Sequence, residues 1–270
     1  MTEALPPILL LGGGRMGGAM LAGWRERGLL PSFVIDPAPA AAALAGDGVQ
    51  VVTAADDLPP GFAPAAVILA VKPQQADAAL PGVARFAGTG TVMLSIMAGR
   101  TIAGLQAMLS AEAPVVRAMP NTPAAIRQGI TVACPGPGVT PAQKALCDGL
   151  LASVGEVAWV DDERLIDPVT AVSGGGPAYV FLLAELLERA AAEQGVPPAL
   201  ARQLARVTVA GSGALLAASA EDASALRIAV TSPAGTTERA LAVLMEDAAW
   251  PALMSRAVDA ATRRSRELAS

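Results

Sequence analysis

The chain of 270 residues is 53% apolar, with only 3% aromatics and a net charge of −5. That suffices for one large domain or two modest ones, and the alanine and leucine content points to a helix-rich, aliphatic core. The lack of a long basic run argues against nucleic acid or an anionic membrane surface as partner. The complete absence of histidine removes the commonest general acid–base and metal ligand, and no metal site is expected.

Ile8–Leu11 is expected as a buried strand. Gly12, Gly14 and Gly17 follow at G-x-G-x-x-G spacing, and Met16, Met20, Leu21 and Trp24 begin a helical stripe. The first glycine permits a tight turn, the second lets a pyrophosphate approach the backbone, and the third lets helix and strand pack closely. Free N–H groups at the helix start then hold phosphate, so the stretch predicts a dinucleotide site.

Further strands are predicted at Phe33–Asp36, Val49–Val52, Ala66–Val71, Thr91–Ser95 and Val115–Met119. Helical stretches near Gln74–Val83 and Ile102–Leu109 separate them. Ile130–Ala133, a helix near Pro141–Ser153 and Val157–Val160 complete the domain. Strands alternating with helices imply an α/β, Rossmann-type doubly wound sheet over residues 1–160. From 161 to 270 no strand is expected. Helices are predicted over Ala178–Gln194, from Pro198 to about Ala218, and over Glu238–Glu246 and Ala252–Leu268, with a turn at Thr231–Thr237. Their apolar surface exceeds what one small bundle buries, which predicts a homo-oligomer.

Cys134 and Cys147 form no CxxC and read as reduced thiols. With no basic segment leading into an apolar one at the start and no uninterrupted apolar run near the roughly 18 residues of a membrane span, a cytoplasmic protein is expected.

Asp36, at the end of the second strand, can accept bonds from ribose hydroxyls and repel a 2′-phosphate. It weakly favours NADH over NADPH, although Arg15 in the glycine loop is placed to offset that repulsion. Lys72 and Pro73 leave the fourth strand at its carboxyl end. Ser95–Gly99 and Arg117–Pro123, the latter carrying Asn121, leave the next strands on the same side, so the loops converge on one crevice for the nicotinamide. In the second domain Val230–Thr237 precedes a helix. Its hydroxyls and free N–H groups make a carboxylate cradle.

Together, GGGRMGGA, AVKPQ, SIMAG, RAMPNTP, SGGGPAYVF, the Gly195–Leu216 helix with Thr208, and VTSPAGTT make the chain resemble the pyrroline-5-carboxylate reductase family. The resemblance implies a Rossmann domain followed by a helical dimerisation domain, a dimer as the minimal unit, and in some members a decamer of five dimers. It further implies a site between one subunit's cofactor domain and its partner's helices, and NAD(P)H-dependent reduction of a cyclic imine to L-proline, the last step of proline biosynthesis. Gly13, Arg15 and Met16 match the pyrophosphate wrap, Val71 and Lys72 the loop beneath the cofactor, and Ala98 a position near the nicotinamide. Ser232, Gly235, Thr236 and Thr237 match the substrate-carboxylate loop, with the Thr237 hydroxyl near the ring nitrogen. Asp167 and Ser173 fall where the helical domain begins and are candidates for substrate binding.

Four positions depart from the pattern. Gly175 and Ala234 replace a serine and a glycine, Ala229 replaces a polar residue found in some members, and Asp36 replaces small hydroxyl residues. The competing enzyme class, β-hydroxyacid dehydrogenases, needs a lysine in the second domain, whereas this chain has only Lys72 and Lys144. A cofactor binder without catalysis would carry a degraded substrate loop, whereas TSPAGTT is nearly complete. Reduction of a different cyclic imine stays open at the level of sequence.

Overall fold

The computed structural model describes residues 4–88 and 90–269. They divide into two compact units, residues 1–174 with 261–270, and residues 175–260. Composition changes near Asp161, but contacts divide the chain at Gly174. Ile166 is fully buried in the core of the first unit and Asp167 is bonded to Ser265 near the end of the chain, so residues 161–174 and 261–269 both pack with the sheet.

The first unit is built on eight strands: β1 (Ile8–Leu11), β2 (Ser32–Ile35), β3 (Val49–Val52), β4 (Ala66–Leu69), β5 (Val92–Ser95), β6 (Val115–Met119), β7 (Gly129–Pro135) and β8 (Gly155–Trp159). Their order is β3-β2-β1-β4-β5-β6-β7-β8. β1 lies between β2 and β4, with Leu10 opposite both Val34 and Ile68. Strand order therefore reverses at β1, and the crevice beyond its carboxyl end is where such sheets bind ligands. Alternate residues serve opposite faces: Leu10 packs with Trp24, Leu150 and Leu151, and Leu9 and Leu11 with Leu80, Met93 and Leu105. Both faces are covered, which is why β1 and β4 are apolar throughout.

α1 (Arg15–Glu26) follows β1 directly, and its fully buried Trp24 donates from Nε1 to the Leu150 carbonyl at 2.8 Å. Leu150 lies in α4 (Pro141–Leu151), whose start is closed by a reciprocal cap between Thr140 and Gln143. α2 (Ala76–Val83) and α3 (Ile102–Leu109) cover the other face.

β7 runs antiparallel to β6, a reversal that its apolar pattern does not reveal. The link between them is a 3-10 turn over Thr122–Ile126 ended by Arg127 in the left-handed region (φ 61°). It is too short for the crossover a parallel neighbour needs, roughly a dozen residues. β8 returns through α4 and is parallel to β7.

After a 3-10 turn (Glu163–Leu165) and α5 (Ile166–Val169), a π-turn at Thr170–Gly174 ends the first stretch of this unit. The second unit holds α6 (Gly176–Glu193), α7 (Pro198–Ala218), α8 (Ala223–Ala229), α9 (Thr236–Leu244) and most of α10 (Trp250–Leu268). α6 and α7 form a hairpin closed at Gly195 and tied by Arg202 to Glu188 at 3.2 Å. α6 buries none of its residues and α7 only Ala201 and Ala205, while Phe181 is 68% exposed and Val207 64%. Among the described residues one helical stretch, Glu163–Glu193, is long and apolar enough by length and composition to cross a membrane.

Candidate active site

The glycine loop folds as its spacing demands. Gly12 has φ 100°, and a Cβ there would lie 2.8 Å from the Ala70 carbonyl oxygen, so only glycine lets the β1 and β4 exits lie this close. Gly14 faces open space, with nothing within 4 Å of where its Cβ would be. It also caps α1 without any side-chain bond, leaving the first-turn N–H groups for an outside acceptor. A tight floor with open space above it fits a pyrophosphate.

Beyond this loop lies a crevice of about 920 Å³. Of the residues expected around a cofactor, Gly12, Gly14, Asp36, Val71 and Lys72 line it. Asp36 accepts the Gly13 N–H on Oδ2 at 2.7 Å and the Ala38 N–H on Oδ1 at 2.9 Å, which ties the end of β2 to the loop. Lys72 caps the 3-10 turn Pro73–Gln75, with Pro73 in its first turn. Thr53 and Asp56, which no motif marks, also line the crevice. Position is the one signal they carry: they follow β3, whose exit adjoins that of β2.

Gly13, Arg15, Met16, Gly17, Pro73, Ala98 and Asn121 are not part of this lining. Arg15, Met16 and Gly17 form the first turn of α1. Asn121 is held by its own fold, its Oδ1 accepting the Ile130 N–H at 3.0 Å, so its amide nitrogen is the end left to bind. Ala98 is exposed in the loop after β5.

In the helical unit, Ser232–Gly235 forms a turn closed by the Gly235 N–H to the Ser232 carbonyl at 3.0 Å. Ala234 stands in the left-handed region (φ 55°), the conformation for which glycine is the expected residue. Its N–H donates to Oε2 of Glu238 at 2.8 Å. α9 begins at Thr236 rather than at Glu238, because Gly235 caps it by backbone conformation without a side-chain signal. Thr236 and Thr237 are thereby the first two residues of the helix and both are exposed. Two hydroxyls and unbonded first-turn N–H groups at the positive end of a helix can hold a carboxylate.

Asp167, a candidate for substrate binding, lies in the core of the first unit. It is 7% exposed, and its Oδ1 accepts the Ser265 hydroxyl at 2.8 Å and lies 3.7 Å from the Arg117 guanidinium, which engages that oxygen in a buried cluster. Ser173 sits in the π-turn with its Oγ buried and no hydrogen-bond partner among the described residues. Lys144 lies over the Trp159 ring at 4.7 Å, away from the crevice lining.

Comparison with known proteins agrees with this fold. A family model described as NADP oxidoreductase, coenzyme F420-dependent, matches residues 7–99, and one described as pyrroline-5-carboxylate reductase dimerisation matches residues 163–268. The pyrroline-5-carboxylate reductase of Pseudomonas aeruginosa is 37% identical, covering 98% of this chain and 97% of that protein. The solved reductase of Coxiella burnetii superposes with a TM-score of 0.89 at 30% identity over 100% of both chains. The pyrroline carboxylate reductase of Plasmodium falciparum, solved with NADP bound, superposes with 0.82 at 26% identity, again over 100% of both. A glycine cradle at the sheet's switch point, an open hydroxyl-bearing helix start and full-length kinship place the chain in the pyrroline-5-carboxylate reductase family.

Proposed function

We propose that the protein reduces the C=N bond of Δ1-pyrroline-5-carboxylate to L-proline with NADH or NADPH, the closing step of proline biosynthesis. The observation that carries this reading is the exposed Thr236–Thr237 helix start in a chain whose kinship with such reductases runs over 98% of its length. A nicotinamide held here would supply hydride to the imine carbon, and a ring nitrogen that arrives protonated keeps that proton as the neutral amine. The work left to the protein is alignment, which is worth several kcal/mol of barrier when reacting atoms are held in line.

The residues divide that work. The first-turn N–H groups of Arg15, Met16 and Gly17 take the pyrophosphate beside Gly12, Gly13 and Gly14, and Asp36 takes the adenosine ribose. Val71, Lys72 and Pro73 shape the crevice edge, with Ala98 and the Asn121 amide toward the nicotinamide. Ser232, Gly235, Thr236 and Thr237 hold the substrate carboxylate, and the Thr237 hydroxyl orients the imine nitrogen. Ser173 supports this arrangement from the π-turn. A protonated cyclic imine needs no histidine.

We further infer NADH as the preferred donor, from the carboxylate at Asp36. The unburied faces of α6 and α7 support a homodimer whose partner helices complete the site, with a decamer as the higher assembly. The same face accounts for the apolar stretch Glu163–Glu193 by subunit burial rather than by a lipid span. The ligands are small molecules, not nucleic acid or membrane, and the setting is the cytoplasm.

Cofactor oxidation followed at 340 nm with racemic imine, run with NADH and NADPH in parallel, tests this directly. Turnover with either establishes the reductase, and the ratio of the two reads the donor preference. A folded oligomer that binds cofactor without turnover overturns the reading.

A further inference from the structure

Arg117 is a charged side chain buried as deeply as the aliphatic core, 2% exposed in the middle of β6. Its Nη1 donates to Oε1 of Glu163 at 2.9 Å, and the same oxygen accepts the Ile102 N–H at the start of α3 at 2.8 Å. Its Nη2 lies 3.7 Å from Oδ1 of Asp167, which takes the Ser265 hydroxyl at 2.8 Å. One guanidinium thus gathers β6, the start of α3, the 3-10 turn, α5 and the last turns of α10.

As a source of stability this cluster is poor. Nε and Nη2 of Arg117 are buried without hydrogen-bond partners among the described residues, and burying charge so incompletely paired costs what the ion pairs return. What the cluster does provide is placement. Met119, two residues along β6, packs on the π-turn, its Sδ lying 3.6 Å from where a Cβ on Gly174 would be. β6 then runs into Pro120 and Asn121, the loop assigned to the nicotinamide. At the far side, a Cβ on Gly99 would lie 3.0 Å from the Leu268 carbonyl, so the end of α10 rests on the loop that holds Ala98.

We propose that Arg117, through Glu163, Asp167 and Ser265, is a positioning residue for hydride transfer. It fixes the loops after β5 and β6 and the π-turn carrying Ser173 in one arrangement. The effect on turnover rests on the reductase reading; the effect on the loops does not. Nothing in the crevice lining belongs to this cluster, so it acts through the backbone and not on the ligand.

The experiment compares wild type with Ser265→Ala, Asp167→Asn and Arg117→Lys by amide hydrogen exchange, denaturant unfolding and kinetics. Ser265→Ala removes one hydroxyl and keeps the fold even where Arg117→Lys does not. The expected result is exchange about tenfold faster in residues 119–121 and 163–174, with β1–β4 and the glycine loop unchanged. Alongside it, kcat falls about tenfold with cofactor binding retained, and the deuterium isotope effect from labelled cofactor rises as the hydride step becomes limiting. Exchange in those segments equal to wild type in both Ser265→Ala and Asp167→Asn overturns the proposal, whatever the activity. A wild type that does not turn over the imine overturns the reductase reading alone, since the exchange comparison still decides the role of Arg117.

Discussion

Oδ2 of Asp36 accepts the backbone N–H of Gly13 at 2.7 Å, so the residue placed to read the ribose also braces the loop that holds the pyrophosphate. Each carboxylate oxygen has spent one acceptor direction, on Gly13 and on Ala38, and retains another for a ribose hydroxyl. Replacing Asp36 by Ser removes the charge that meets a 2′-phosphate. The ratio of kcat/KM for NADPH to that for NADH is expected to rise by about tenfold or more, equivalent to about 1.4 kcal/mol. An unchanged ratio would remove Asp36 from donor selection.

Thr237 is in the first turn of α9 and exposed, so its hydroxyl is open to a ligand. Thr237→Ala is expected to lower kcat/KM for the imine by some tens-fold, about 2 kcal/mol, with NADH binding intact. Thr237→Ser should recover most of it. Equal rates for the alanine variant and wild type would put the alignment of the imine elsewhere.

Ala234 holds a left-handed backbone at φ 55°, and Glu238 receives its N–H. Glycine there removes a cost of about 1–2 kcal/mol but adds freedom to the unfolded chain, leaving a net gain of roughly 0.5 kcal/mol. Thermal unfolding of Ala234→Gly measures it. Glu238→Ala should instead raise KM for the imine while KM for the cofactor stays put; steady-state kinetics with each substrate varied separates the two.

Cys147 is fully buried, and burial pushes its thiol up to about 12. The unfolded thiol ionises near 8.5. The unfolded chain therefore releases this proton first, so the contribution is complete below about pH 8.5 and is lost as pH rises toward 12. Unfolding free energies from denaturant at pH 7 and pH 10 should differ more in wild type than in Cys147→Ala, by up to about 1.4 kcal/mol per pH unit above 8.5. In the native state at pH 8 a thiol reagent should leave Cys147 untouched.

Phe181 is 68% exposed on a helix that buries none of its residues within the chain. A glutamate there places an unpaired charge in the expected subunit seam, where desolvation has no compensation. Light scattering should show the mass of Phe181→Glu falling toward that of one chain. A mass equal to wild type would move the seam off this face of α6.

Residues alone reveal whatever is enforced locally. Ile8–Leu11, Ile102–Leu109 and Pro198–Ala218 have the expected ends because a glycine turn, the Thr101 cap and a proline at the helix start mark them. The start of α9 lies two residues before its expected place because Gly235 caps without a side chain. α8 carries no legible signal, since Ala223–Ala229 is a short alanine-rich helix after an aspartate without a cap bond. The antiparallel β7 is set by loop length, not by its own apolar pattern. Asp167 and Arg117 belong to residues far away in the chain, Ser265 and Glu163, and no spacing announces that.

The unit that carries the glycine loop is not contiguous in the chain. Residues 261–270 return to it after the helical unit, 175–260, has intervened. On the ribosome, β1 to β8 are all synthesised long before the Ser265 hydroxyl that meets Asp167. The nascent sheet therefore waits with Asp167 lacking its Ser265 partner while residues 175–260 are made, and the cofactor unit closes only afterwards. Its assembly is coupled to completion of the helical unit by the order of translation.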